Sequence, residues 1–159
     1  MIYTIPHKPI PLARHRNHGA HYYNPQRELV TRLQFILKHQ HGNRPFYEGP
    51  LLLKAIFHFT YPKTYSAKKR QGLVFHHVKP DKSNCEKFIE DMAQGILFEN
   101  DSRIAWSNVL KVYGPEDKIE FTIIELDESW IDKIDWLTEQ SPLSCHAVAL
   151  AKEDRGLYT

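Results

Sequence analysis

The sequence has 159 residues, of which 42% are hydrophobic and 25% are charged, so its length allows one domain to bury its own core. No apolar run approaches the ~18 residues of a membrane-spanning helix, and the N-terminal residues MIYTIPHKPIP lack the apolar core of a signal peptide. Cys85 and Cys145 lie far apart without a CxxC motif, which favours free thiols over a disulfide. These features predict a cytoplasmic protein.

The charges are divided unevenly along the chain, although the net charge is only +2. Residues 1–80 contain 13 lysines and arginines and only two acids, whereas residues 81–159 contain 8 lysines and arginines and 17 acids. A basic half of this kind is typical of a protein that contacts a phosphate backbone. A solvated basic loop without a partner would give the same pattern, and the charge division alone does not separate these two interpretations.

The first half of the chain predicts a strand, a loop and a helix. Met1 to Pro6 has the pattern of a strand, and the Pro- and His-rich stretch from His7 to Tyr23 has no apolar period. Asn24 and Pro25 are predicted as the N-cap and first residue of a helix that ends at Gly42. The apolar residues of this helix lie on one face: Leu29, Val30, Leu33, Ile36 and Leu37.

The middle of the chain predicts a buried strand over Leu51 to Tyr61, because every second residue along it is apolar. Lys63 to Val78 is polar and basic and is predicted to be an exposed loop. A short amphipathic helix is expected to follow and to run to about Gln94, with Gly95 as its stop.

The remaining elements complete an α+β fold. Arg103 to Tyr113 and Lys118 to Leu126 alternate as strands, and the turn residues between them predict a hairpin. Ser129 to Glu139 has the spacing of a small amphipathic helix. We therefore predict a small, mostly antiparallel sheet with helices packed on one side, in which residues 1–127 form the domain and residues 128–159 a C-terminal helix and tail extension.

The stretch HHVKPDKSNCEKFIED, residues 76–91, contains the candidate site. On the helix that it opens, Asn84, Lys87 and Asp91 form a polar stripe, which a simple Lys87–Asp91 ion pair would explain. However, Asp81 precedes the helix, and Glu99 and Asp101 follow it at the start of a strand. Oxygen ligands that converge there would suit Mg²⁺, which needs only one or two carboxylates besides water and phosphate oxygens.

The run from Lys79 to Tyr113 resembles the core motif of the RusA family of crossover junction endodeoxyribonucleases, the Holliday junction resolvases of bacteria and their phages. The early segment PIPLARHRNHGAHYYNP is similar to the family's N-terminal arginine segment, and the resemblance covers roughly residues 3–126. The motif positions that match are Pro80, Asp81, Asn84, Lys87, Asp91, Asp101, Ser102, Arg103, Ile104 and Lys111.

The resemblance implies a RusA-like fold and a homodimeric, Mg²⁺-dependent nuclease, with Mn²⁺ as a substitute, that nicks four-way DNA junctions in recombination and repair. Asp81 and Asp101 would be metal ligands, and Lys87 would assist phosphodiester cleavage. Asp91 would support Lys87 or the ion, and Glu99 is a candidate replacement ligand. The expected DNA-binding residues are Arg14, Arg16, Lys68, Lys69, Arg70 and Lys79.

Two positions depart from the family pattern. Ser83 and Asn100 stand where the family has aspartates, and neither a hydroxyl nor an amide oxygen replaces the charge of a carboxylate. Ser83 and Glu86 have the spacing of a capping box, so we expect the helix start to survive while the metal site weakens. The alternatives are a branched-DNA-binding protein that cleaves poorly and, less favoured, a nuclease that acts on other DNA structures.

Overall fold

The computed structural model describes residues 1–13, 16–18, 21–23 and 25–133. The chain divides into two compact units, Met1–Glu125 and Leu126–Thr159. No helix in the described part of the chain is long and apolar enough to cross a membrane. The predicted C-terminal helix is observed only in part, because Glu128–Lys133 is a 3-10 helix and the rest of that prediction lies outside the described residues.

The strands are β1 (Tyr3–Ile5), β2 (Arg16–His18), β3 (His21–Tyr23), β4 (Leu51–Thr60), β5 (Val74–Phe75), β6 (Ile104–Gly114) and β7 (Lys118–Glu125). A five-stranded sheet in the order β1-β7-β4-β6-β5 forms the centre of the first unit. Only the β4–β6 pair is parallel, so the sheet is mostly antiparallel, as predicted. A separate two-stranded sheet joins β2 and β3.

The predicted hairpin between β6 and β7 is wrong. Both strands form, but β4 lies between them and pairs with each, parallel to β6 and antiparallel to β7. The physical reason is the apolar content of β4, in which Leu51, Leu52 and Leu53 are all fully buried. A strand that is apolar on both faces is stabilised by a central position in the sheet, and β4 takes that position.

The first helix, α1, spans Arg27–His41. It ends at Gly42, which has a φ of 66° and whose amide donates to the Lys38 carbonyl, as predicted. Its predicted start is wrong: Gln26 is the N-cap residue and provides no capping side chain, and Asn24 lies outside the described residues. The Gln26 side chain instead holds the N-terminal loop, since its Oε1 accepts from the Ala13 amide and its Nε2 donates to the Pro11 carbonyl.

The second helix, α2, spans Lys82–Ala93. Both helices pack on the same face of the sheet, in one core with the inward side chains of β1, β4 and β7. The buried residues that the helices contribute to this core include Leu33, Leu37, Cys85, Phe88, Ile89, Met92 and Ala93. The opposite face carries a shallow cavity of about 360 Å³ lined by residues such as Lys54, Ile56 and Leu110. The prediction of helices on one side is therefore confirmed.

Candidate functional site

Asp81 begins the candidate site as the N-cap residue of α2, with extended backbone angles of φ −67° and ψ 141°. The predicted capping box is wrong, because Ser83 is the second residue inside the helix and Asp81 holds the cap position. The Glu86 side chain does not bond to the backbone of a cap residue. It forms an ion pair with Lys82 instead, with Nζ and Oε2 3.4 Å apart. Nothing in the described contacts explains the serine at position 83.

Asp101 is placed by the turn that follows α2. Gly95 has a φ of 73°, and its amide donates to the Phe98 carbonyl. Leu97 and Phe98 are fully buried, which stabilises the turn by roughly 1.5–3 kcal/mol for each side chain. The chain is thus pinned to the core immediately before the 3-10 helix Asp101–Arg103 that leads into β6.

Asn100 has a structural role at the start of that 3-10 helix. Its Oδ1 accepts a hydrogen bond from the Ser102 amide at 2.9 Å, so Asn100 is a side-chain cap. The next carboxylate back along the chain, Glu99, pairs with Arg103, with Oε2 and Nη2 3.0 Å apart. Both side chains are therefore engaged locally, although both remain exposed.

Glu90 is the residue that sequence reasoning missed at this site. Burial raises the pKa of its half-buried carboxyl, and the neighbouring charges of Glu86, Asp101 and Asp91 raise it further while Lys87 opposes the rise. The charges that act on the Glu90 carboxyl therefore come both from α2 itself and from Asp101 in the 3-10 helix after it. A signal was available in the sequence, because Glu90 lies one helical turn after Glu86 and beside Lys87.

Lys87 lies between the two ends of the site on an exposed part of α2. Helix geometry places it about 9 Å along the axis from Asp81. Among the ion pairs of the described residues, the pair on α2 joins Lys82 and Glu86, and a Lys87–Asp91 pair is not among them. The simple explanation of Lys87 as half of a surface ion pair therefore finds no support.

The candidate ligands fit only a cation site in which the protein supplies one or two carboxylates. Among the described residues, no group of three or more His, Cys, Asp or Glu side chains could hold a metal ion by itself. Mg²⁺ commonly binds through one or two carboxylates and completes its shell with water and substrate phosphate oxygens. Asp81 and Asp101, the carboxylates before and after α2, fit that form, whereas an all-protein metal cage does not fit.

The predicted DNA-binding lysines are exposed, but their surroundings differ. Lys68–Arg70 is a 3-10 helix. Lys69 Nζ lies 3.9 Å from the centre of the Tyr65 ring, and Arg70 Nη2 donates to the carbonyls of Pro62 and Lys63 at 3.3 and 2.9 Å. No such partner is seen for the Lys68 ammonium within the described part of the chain. Lys79 is exposed just before Asp81.

The N-terminal loop that precedes the predicted arginines reaches α2. The Leu12 amide donates to the Asn84 carbonyl in the first turn of the helix at 2.9 Å. Arg14 lies outside the described residues, and only the backbone of Arg16, in β2, is described. The structure therefore brings this loop to the site as far as Ala13.

The segment between the basic 3-10 helix and Asp81 is not the simple exposed loop that was predicted. Val74–Phe75 forms β5 against β6. His76 is only 7% exposed, and its ring stacks on Phe59 and packs against Tyr113, at centroid distances of 4.1 and 4.5 Å. Burial, and secondarily the charge of Lys111, lower the pKa of the His76 imidazole. No apolar periodicity in this stretch indicates the packing of His76.

Comparison with known proteins agrees with the motif and the fold. The family model of endodeoxyribonuclease RusA matches residues 6–124. One relative is the uncharacterized protein YqaN of Bacillus subtilis (strain 168). It is 25% identical to this chain over 118 residues, which cover 70% of this chain and 83% of that protein.

The match to RusA spans four of the five strands of the larger sheet, with β7 short by its last residue, both helices and each residue of the candidate site; β1 lies just before it. The chain therefore belongs to the RusA endodeoxyribonuclease family, which is a nuclease family that acts on branched DNA junctions.

Proposed function

We propose that this protein is a Mg²⁺-dependent, structure-selective endodeoxyribonuclease that resolves four-way DNA junctions in recombination and repair. The observation that carries the proposal is the placement of two carboxylates at the ends of one motif, Asp81 at the N-cap of α2 and Asp101 in the 3-10 helix that follows it, within a chain that belongs to the RusA family. The pKa of the Glu90 carboxyl, which lies between them in the chain, is raised by burial and in smaller part by the charges of Glu86, Asp101 and Asp91, and a cation bound nearby would stabilise such a group of acids. We extend the proposal to action in the bacterial cytoplasm, for a bacterial or phage-encoded protein.

Different residues would have separate roles in phosphodiester cleavage. Asp81 and Asp101 would hold the ion, which supplies positive charge at the phosphate and lowers the pKa of a bound water. Lys87 has an exposed ammonium, which can approach a phosphate oxygen and stabilise the negative charge that develops on it during attack. The exposed Lys68 and Lys79 would hold the DNA backbone, because their charges favour phosphate contacts whatever the base sequence.

A second candidate function is a branched-DNA-binding protein of the same family with weakened catalysis. The observation that favours it is the contact of Asn100, whose Oδ1 accepts from the Ser102 amide and is thus committed to a structural bond. Together with Ser83, this leaves two neutral side chains at positions where the family pattern has carboxylates. Binding to the DNA backbone depends on the basic residues and would survive this loss.

We also propose that the protein acts as a homodimer. A four-way junction resolved by two nicks presents two equivalent strands, and a twofold symmetric dimer would bring one site to each of them. Light scattering after size-exclusion chromatography tests this part separately. A mass near twice 18.7 kDa is expected, and a monomer both alone and on the junction would contradict it.

The main experiment uses a synthetic four-way junction with each strand labelled in turn. Wild-type protein is expected to produce paired nicks with Mg²⁺ or Mn²⁺ and none in EDTA. Asp81→Asn and Lys87→Ala are each expected to lower the cleavage rate by ~100-fold or more, with junction affinity in EDTA unchanged. The matched controls are Glu116→Gln, an exposed carboxylate on the β6–β7 connection, and Lys82→Ala on the same helix as Lys87.

The outcomes separate the two candidate functions. Tight junction binding without a metal-dependent product, equal in wild type and both site variants, would reject the nuclease and favour the binding protein. In that case Ser83→Asp is expected to gain cleavage if loss of a ligand is the cause. A wild type that cuts linear duplex as fast as the junction would instead reject junction selectivity.

A further inference from the structure

Lys111 is an ionisable residue on the helix-covered side of the sheet. It lies on β6 directly opposite Phe57 of β4, and Phe57 is a fully buried core residue. Lysine is rarely placed on a core-facing strand position unless its ammonium is paired. The half-buried position of Lys111 therefore calls for a partner that compensates the charge.

The partners of Lys111 are two backbone carbonyls immediately before Asp81. Its Nζ donates to the Val78 carbonyl at 2.7 Å and to the Pro80 carbonyl at 2.5 Å. These bonds connect positions 33 and 31 residues apart in sequence. Hydrogen bonds from a charged donor are about twice as strong as those from neutral groups, so Lys111 clamps the segment Val78–Pro80 onto β6.

The charge of Lys111 also lies near the start of α2. Burial raises the pKa of the Cys85 thiol to about 11, with Lys111 opposing and Asp81 adding to the rise, so both charges act on the same first turn. The N-terminal end of a helix disfavours a cation. The position of Lys111 is thus better explained by its hydrogen bonds to the Val78 and Pro80 carbonyls than by any stabilisation of α2.

We propose that Lys111 is a positioning residue of the site: by holding the Val78 and Pro80 carbonyls it sets where Asp81 stands relative to α2. It acts through the backbone and does not itself touch the reacting phosphate. The inference rests on the proposed nuclease function for its catalytic consequence, but the clamp itself does not depend on that function.

The first experiment measures the clamp in the full-length, metal-free protein. Hydrogen exchange is followed in a peptide covering residues 74–89 for wild type, Lys111→Met, Lys111→Arg and Lys118→Met. Lys118 is the matched control, since it is also a strand lysine with two partners, Glu116 and Glu120. Lys111→Met is expected to exchange about tenfold faster in this peptide only, and Lys111→Arg to restore part of the protection. Unchanged exchange in Lys111→Met would overturn the proposal, whether or not the protein cleaves DNA.

The second experiment asks whether the clamp matters to the site. The Mn²⁺ concentration needed for half-maximal junction cleavage is expected to rise by about 10–100-fold in Lys111→Met, while junction affinity in EDTA and the Lys118→Met control stay at wild-type values. Faster exchange with an unchanged Mn²⁺ requirement would make Lys111 merely structural and overturn the proposal. If wild type neither cleaves nor binds Mn²⁺ in calorimetry, while the exchange effect appears, the nuclease function fails and the clamp on Asp81 stands.

Discussion

Residues 63–80 form two regions that differ in what holds them, although they share a basic composition. The outer region, Lys63–Arg70, is attached through the surface contacts of Lys69 with the Tyr65 ring and of Arg70 with two carbonyls. The inner region, Val74–Pro80, pairs with β6, buries His76 and receives the Lys111 ammonium. The outer region is therefore held by surface contacts, whereas the inner region is held by strand pairing, a buried ring and a charged hydrogen bond.

The difference teaches that a count of charges does not locate the charges that are free to bind. In the outer region, Lys69 and Arg70 have ring and carbonyl partners that solvent competes with, and no such partner is seen for Lys68 in the described part of the chain. A phosphate can therefore bind these cations at little cost, and at least cost for Lys68. The Lys111 ammonium of β6, which the inner region receives, is bonded to the Val78 and Pro80 carbonyls next to the core, where an unsatisfied partner is costly. Lys68 and Lys111 count equally in a composition, but Lys68 is exposed for a phosphate whereas Lys111 holds the protein's own backbone.

The largest expected effect tests whether the inner region belongs to the core. Phe59→Ala removes a ring that is 4% exposed and that stacks on His76, and we expect it to lower the free energy of unfolding by about 3–5 kcal/mol. Tyr65→Ala, the matched change in the outer region, is expected to cost about 1 kcal/mol. Urea titrations of both variants measure this, and equal losses would remove the distinction between the two regions.

Local patterns predicted the main elements of this fold well. The apolar alternation of β4 and the single apolar faces of α1 and α2 come from burial within one element, which periodicity records. The β6–β7 hairpin was wrong because strand neighbours depend on the competition among all strands, and β4 won the position between them. The chain does bend at Pro115 and Glu116, but a bend between two strands does not require that those strands pair.

For the candidate site, the sequence offered residues but few of their contacts, and the roles of those residues stay predictions. Asp81 and Asp101 could be named from the motif, since family spacing is a property of the sequence. The Lys111 clamp and the burial of Glu90 could not be predicted, because both depend on segments that meet only after folding. The Asn100 cap is local, since its partner amide lies two residues along the chain, but spacing alone does not say which candidate cap residue is used. The Ser83–Glu86 spacing misled for a related reason: Asp81 two residues earlier is an equally good cap residue.

The second largest expected effect is on the affinity for junction DNA when lysines of the outer region are replaced. Lys68→Met is expected to weaken junction binding several-fold and to reduce the slope of log affinity against log salt by about 1, as for the loss of one phosphate contact. Lys69→Met is expected to change the slope less, because its ammonium already lies over the Tyr65 ring. Fluorescence anisotropy in EDTA over a range of KCl concentrations measures both. A larger change for Lys69 than for Lys68 would contradict the assignment.

The smallest effect is a pH dependence of stability in the inner region. Burial lowers the pKa of the His76 imidazole in the folded protein, and Lys111 adds to the lowering. The unfolded chain therefore binds a proton more readily than the folded protein does. The stability that the neutral ring contributes is present above the ordinary histidine pKa of 6.5 and is lost as the pH falls through the folded value.

His76→Phe isolates this contribution because phenylalanine keeps an aromatic ring between Phe59 and Tyr113 but binds no proton. The melting temperature of the variant relative to wild type is expected to be higher at pH 5 than at pH 7.5, whatever the variant's packing costs at neutral pH. His77→Gln, at the exposed neighbouring position, controls for the loss of one imidazole. If the difference between His76→Phe and wild type were the same at both pH values, His76 would not be buried as a neutral ring, and the inner region would resemble the outer one.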